Sequence, residues 1–134
     1  MKNNPDVFEQ RIIVLPEHLD DQQHVNNVQY VQWVQDIAKA HWFSRATPAQ
    51  QENFFWVVVE HSIRYKQQAF LGEELILQTY VGKATHVTSL RYVNIKNAKT
   101  GKILVEAKTT WCLMSQETKK IAKISEELKQ VFLE

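Results

Sequence analysis

The groups best placed to do chemistry are gathered in the stretch Glu-His-Leu-Asp-Asp-Gln-Gln-His-Val-Asn-Asn, residues 17–27. Asp20, Asp21 and His24 stand just ahead of Asn26 and Asn27, and a helical pattern begins at Val28. A carboxylate so placed can attack an electrophilic carbon or draw a proton from water. The first turn of a helix leaves N–H groups unpaired, and its dipole favours negative charge there. The backbone N–H groups from Asn26 to Gln29 are therefore candidates to hold an oxyanion. Each of these residues also has a plainer reading. Asp20 and Asp21 can fold a turn, Asn26 and Asn27 can cap the helix, and His24 can pack against its start. His18, Asp20, Asp21 and His24 also have metal-binding side chains, but loop spacing is permissive and no distant further ligand stands out, so no metal or other cofactor is expected.

The elements that must position these groups follow from periodicity. Val7–Leu15 reads as a first strand closed by Pro16, preceded by a polar, frayed Met1–Asp6. Val28–Ser44 has a 3.6-residue period: Val31, Val34, Ala38 and Trp42 share a stripe, with Tyr30, Ile37 and His41 beside it. The aromatic residues Tyr30, Trp33, Trp42 and Phe43 are expected mostly in the core. Pro48 and the polar AQQEN break the helix. Four strands are then expected in a meander: Phe54–Tyr65, Glu74–Ala84, Val87–Ile95 and Ile103–Met114. Leu75, Leu77, Thr79 and Val81 share one face of the second of these. Arg91 alternates in phase with Val93 and Ile95 on the third. Gly72, Ala84–His86 and Asn97–Gly101 supply hairpin turns. Glu60 and His61 interrupt an apolar strand, so one of them points away from the core. Ser125 is placed to cap a short C-terminal helix. A helix stripe facing about five antiparallel strands makes a two-layer α+β fold.

Asp20, His24, Val25, Asn26, Asn27 and Tyr30 together spell D-x-x-x-H-V-N-N-x-x-Y. In this the chain resembles the 4-hydroxybenzoyl-CoA thioesterase-like family, which includes plant acyl-ACP thioesterases. Tyr65–Leu75 (YKQQAFLGEEL) is similar to that family's Y-x-R-P-A-x-x-G-D-x-L. The resemblance implies a hotdog fold, a curled antiparallel sheet around one long central helix, as a single domain over residues 1–134. It also implies hydrolysis of acyl-CoA thioesters to free acid and CoA, with Asp20 carrying the catalytic carboxylate as nucleophile or general base. His24 would orient water or hydrogen-bond the carboxylate, and Asn26 or Asn27 would hold the carbonyl or the attacking water. Gln22 stands where the plant enzymes have Asn, Gln68 and Ala69 fall near their Glu-Cys pair, and Gln67-Gln68 replaces Arg-Pro. A carboxylate-based acyl-CoA reading therefore leads, with an acyl-ACP thioesterase or a non-catalytic acyl-CoA-binding module as alternatives. Family members pair through their sheets, so a homodimer or homotetramer is expected.

Composition narrows the remaining choices. The 134 residues include 16 basic and 15 acidic side chains, which leaves no large net field to recruit nucleic acid. Lys66, Lys83, Arg91, Lys96, Lys99 and Lys102 form a local basic set that could meet CoA phosphates. Cys112 is the sole cysteine, so an internal disulfide is impossible and a reducing compartment is favoured. MKNNPDVFEQ has no apolar run after its lysine, and no segment reaches the roughly 18 apolar residues of a membrane span. A cytoplasmic protein without a membrane partner is the expectation.

Overall fold

The computed structural model describes residues 4–134. Its elements are β1 (Phe8–Ile13), a 3-10 turn at Pro16–His18, α1 (Asn27–Arg45), α2 (Pro48–Asn53), β2 (Phe54–Tyr65), β3 (Glu74–Ala84), β4 (Thr88–Asn97), β5 (Ile103–Ser115) and α3 (Glu126–Gln130). All five strands form one antiparallel sheet in the order β1-β3-β4-β5-β2. This is the α+β arrangement that the resemblance implies, with α1 packed against the sheet.

Only β3, β4 and β5 form the expected meander. β2 crosses to the far edge and pairs with β5, so Gly72 turns the chain into β3 without closing a β2–β3 hairpin. Strand periodicity marks which face is apolar but says nothing about neighbours, which is why the order was not legible. The faces themselves are as alternation predicts: Leu75, Leu77, Thr79, Val81, Arg91, Val93, Ile95, Val105, Ala107 and Thr109 are all buried.

A bulge at Val59 changes the phase of β2: Val58 lies opposite Trp111, but Glu60 lies opposite Thr110. His61 thereby turns to the same face as Thr109, and its Nδ1 lies 2.9 Å from Thr109 Oγ1. Glu60 is left exposed.

One core joins Tyr30, Trp33, Val34 and Ile37 of α1 to Leu75, Leu77, Val93, Ile95, Val105 and Ala107. A second joins Trp42 and Ala46 to Val81, Leu113, Ile124, Leu128 and Phe132. α3 starts at its expected cap, where Ser125 Oγ accepts from the Leu128 N–H at 3.2 Å.

Three further expectations are corrected. The segment read as a helix breaker starts its own helix, α2, because Pro48 sits in the first turn and Thr47 and Gln50 form a reciprocal capping box. Phe43 is 60% exposed, since it follows Trp42 directly and so points about 100° around the helix from the packed stripe. Of the segment read as frayed, Met1–Asn3 lie outside the described residues, whereas Pro5 bridges Leu133 and the Asp6 N–H donates to Phe132 O. No described helix is long and apolar enough to cross a membrane.

Candidate active site

The loop ahead of α1 is folded by its own polar groups. Leu19 and Val25 form a bridge, and within it the Asp20 N–H donates to His24 O at 2.8 Å. Asp20 Oδ1 accepts from the backbone N–H of Gln22 at 2.8 Å and of His24 at 3.2 Å. Gln23 takes a left-handed φ of 63° to close this turn. The hydrogen bonds of the Asp20 side chain among the described residues all end on Oδ1, so Oδ2 is left for another partner. The turn and the chemistry are compatible, because two N–H donors fix the carboxylate while one oxygen stays available.

The loop is anchored from both sides. The Val25 N–H donates to Ala69 O and the Asn26 N–H to His18 O. The buried Tyr30 hydroxyl accepts from the Ala69 N–H at 3.1 Å, and burial raises its pKa. His24 also bridges Phe70 in backbone pairing.

The candidate oxyanion donors narrow sharply. Asn26 caps α1, its Oδ1 accepting from the Val28 N–H at 2.9 Å. The Gln29 N–H donates to Asn26 O, and the Asn26 N–H is used as above. Of the four N–H groups from Asn26 to Gln29, only that of Asn27 lacks an acceptor among the described residues. It opens a helix of 19 residues, where the dipole adds positive potential.

Among the described residues the His24 ring makes no hydrogen bond to the carboxylate. It packs edge-on against Phe70 with centroids 5.3 Å apart, so His24 meets Asp20 through its backbone. His18 is likewise engaged, its Nδ1 accepting from the Leu15 N–H and its ring edge-on to Trp33. Asp21 is exposed. Around this end of α1, the apolar side chains of Val28, Tyr65, Phe70 and Leu71 are all exposed, Val28 to 74%.

A cavity of about 390 Å³ lies elsewhere. It is walled by Trp42, Phe54, Trp56, Trp111 and Phe132, and starts at Ala38 on the helix. At 1.5 Å per residue, Ala38 is about 16 Å along the axis from Asn27. Asp20 thus stands at the start of α1, and the cavity lies toward the helix's other end.

A group missed by sequence reading sits on that cavity. Arg91, counted among the basic candidates for CoA phosphates, is only 4% exposed, and its Nη1 lies 2.9 Å from both His41 Nδ1 and Thr79 Oγ1. Its alternation with Val93 and Ile95 was the signal that could have placed it. His41 is fully buried, and its Nε2 lies 2.8 Å from Asp6 Oδ2. Since Arg91 can only donate, Nδ1 accepts and Nε2–H donates to the carboxylate. Burial lowers the His41 pKa to about 4 against the opposing hydrogen bond that it donates to Asp6, and burial lowers that of Arg91 to about 9. Burial acts to raise the Asp6 pKa, but the hydrogen bonds from His41 and Arg45 outweigh it and lower it. His61 is lowered by burial. Of the other basic candidates, Lys66 pairs with Glu106 at 3.4 Å.

Comparison with known proteins agrees with this fold. A chloroplastic acyl-[acyl-carrier-protein] hydrolase of Cuphea viscosissima is 27% identical over 88 residues, 66% of this chain and 21% of that protein. The chain therefore spans about a fifth of the length of the curated relatives it matches. Among solved structures, a 1,4-dihydroxy-2-naphthoyl-CoA thioesterase from Synechocystis superposes with a TM-score of 0.81 at 18% identity, covering 94% of this chain and 95% of that one. The 12:0-ACP thioesterase from Umbellularia californica superposes with a TM-score of 0.80 at 16% identity, covering 96% and 51%. These structures share the hotdog fold expected from the sequence. The acyl-ACP thioesterase N-terminal domain family matches residues 5–132, and this chain belongs to that family.

Proposed function

We propose that residues 1–134 form one hotdog thioesterase unit that hydrolyses acyl-CoA thioesters to a free acid and CoA, with Asp20 as the catalytic carboxylate. One observation carries this reading: Asp20 is held through Oδ1 by two backbone N–H groups in the turn that leads into α1, whose first N–H, that of Asn27, has no acceptor among the described residues. A thioester carbonyl is electrophilic and its thiolate leaves readily, so the site has two tasks. Asn27 N–H takes the oxygen as it gains charge, and the Asp20 carboxylate delivers the attacking oxygen. Attack by Asp20 itself would form a mixed anhydride and expel the CoA thiolate, after which water cleaves the anhydride. If Asp20 instead takes a proton from water, hydroxide adds directly and the thiolate leaves with a proton. Asn26 supports either course as helix cap, and His24 as the backbone partner of the carboxylate.

The exposed apolar surface of Val28, Tyr65, Phe70 and Leu71 fits the acyl group of such a substrate, or a second copy of the chain. Copies would pair along β2, an edge strand with Val57 and Val59 exposed, to give a homodimer or a homotetramer built from it. A buried, unpaired Cys112 supports a cytoplasmic setting.

The family and the plant relatives favour acyl-ACP thioesters as a second substrate reading, and binding without turnover as a sensor module is the third. Free-thiol release from a panel of acyl-CoAs and acyl-ACPs, with wild type beside Asp20→Asn, separates them. Wild type should turn over acyl-CoA, and Asp20→Asn should lower kcat by about 100-fold or more. Equal activity in the two proteins removes Asp20 from the chemistry. Turnover of acyl-ACP alone moves the substrate to carrier protein, and saturable binding with no turnover makes the chain a binding module.

A further inference from the structure

We propose that the cavity beneath the C-terminal half of α1 binds a molecule with an apolar body and a carboxylate, and that Arg91 receives the carboxylate.

The first support is the use of the guanidinium. Its hydrogen bonds among the described residues all leave from Nη1, to His41 and Thr79. Nε and Nη2, the edge suited to a two-pronged bond with a carboxylate, have no acceptor there. Arg91 is nevertheless almost wholly out of solvent and is one of the residues that line the cavity.

The second support is charge. Asp6 is the carboxylate nearest this cluster, reached from Arg91 through the neutral His41, and it also pairs directly with Arg45 at 2.8 Å. Arg45 thus has the carboxylate in direct contact, and Arg91 pairs with no carboxylate among the described residues. No Asp or Glu lines the cavity, whereas Lys39 and Arg91 both do. A desolvated cation without a counter-ion is unfavourable, and an entering carboxylate would relieve it. The face of Phe132, 4.6 Å from the guanidinium carbon, stabilises the charge only in part.

The third support is the wall. About 390 Å³ lies within the ordinary range for small-molecule sites, and the surfaces away from Arg91 are mostly aromatic. Aromatic walls with the Arg91 guanidinium among them suit an aliphatic or aromatic acid. The site lies about 16 Å from the start of α1, and its occupation does not require the thioesterase reading.

Trp42, Trp56 and Trp111 line the space, so their fluorescence reports on it. The test is titration of the full chain with dodecanoate and, separately, dodecan-1-ol, both below their aggregation limits. Dodecanoate should change the emission saturably with a Kd at least about tenfold below that of the alcohol. In Arg91→Gln that preference should vanish. The head-group comparison on wild type stands even if this variant folds poorly. Ser89→Phe, which fills the cavity and keeps Arg91, should weaken dodecanoate binding by a similar factor. Equal affinity for acid and alcohol in wild type, no saturable response, or unchanged binding by Ser89→Phe would each overturn the proposal.

Discussion

The Tyr30 hydroxyl accepts a hydrogen bond from the backbone N–H of Ala69, 3.1 Å away in the buried core, and so ties the first turn of α1 to the loop between β2 and β3. The same Ala69 accepts from Val25 through its carbonyl oxygen. One residue thereby holds both the helix and the turn that carries Asp20.

Tyr30→Phe keeps the ring and removes the acceptor. The Ala69 N–H is then buried without a partner, which costs about 1–3 kcal/mol. Urea unfolding should show a lower midpoint with an unchanged slope. Hydrogen exchange at Val25 and Ala69 should quicken more than exchange in β4. Stability within about 0.3 kcal/mol of wild type would mean that water replaces the hydroxyl.

Acid should unfold this protein through His41. Its folded pKa of about 4 lies below the ordinary 6.5, so the unfolded chain binds a proton first as pH falls. The associated stability is complete above about pH 6.5 and is lost as pH falls toward 4, by about 3 kcal/mol. His61, also lowered by burial, acts in the same direction. Asp6 adds a loss at lower pH, because its pKa is lowered and the benefit goes as it protonates. The groups facing His41 are Asp6 and Arg91, with Arg45 on the far side of Asp6. Melting temperature should therefore be nearly level from pH 8 to 7 and fall between 6.5 and 4. His41→Gln should melt lower at pH 7 and show a shallower fall. An equally steep fall in the variant would assign the acid response elsewhere.

The outer edge of β2 is open in the isolated chain, with Val57 37% and Val59 61% exposed. Open edges with apolar side chains invite another strand. Sedimentation equilibrium at micromolar concentration should give a dimer or tetramer mass. The double change Val57→Lys and Val59→Lys should shift it toward monomer while leaving the circular dichroism spectrum alone. A wild-type monomer across that range would remove pairing along β2.

Local sequence determined most of the elements and the face each one buries. Helix period, strand alternation and the caps at Asn26 and Ser125 depend on neighbours a few residues away, so they are readable along the chain. The motif from Asp20 to Tyr30 was legible for the same reason, since its turn and cap are closed by local hydrogen bonds. Even α2 was within reach, because Thr47, Pro48 and Gln50 are a local start signal that was read only as a break.

Tertiary structure alone decided what depends on distant partners. Strand order sets β2 beside β5, and the Val59 bulge turns His61 inward, neither of which alternation can encode. Asn27 emerged as the free donor only once Val28 and Gln29 were seen bonded to Asn26 and the Asn26 N–H to His18. Arg91 and Asp6 changed most. Composition treats a basic residue as surface and a polar N-terminal stretch as frayed, because charge ordinarily stays in water. Folding brings them to opposite nitrogens of His41, from positions 50 and 35 residues away, where each charge has a hydrogen-bonded neighbour. Burial of such groups becomes tolerable only when those partners meet, and that meeting belongs to the fold.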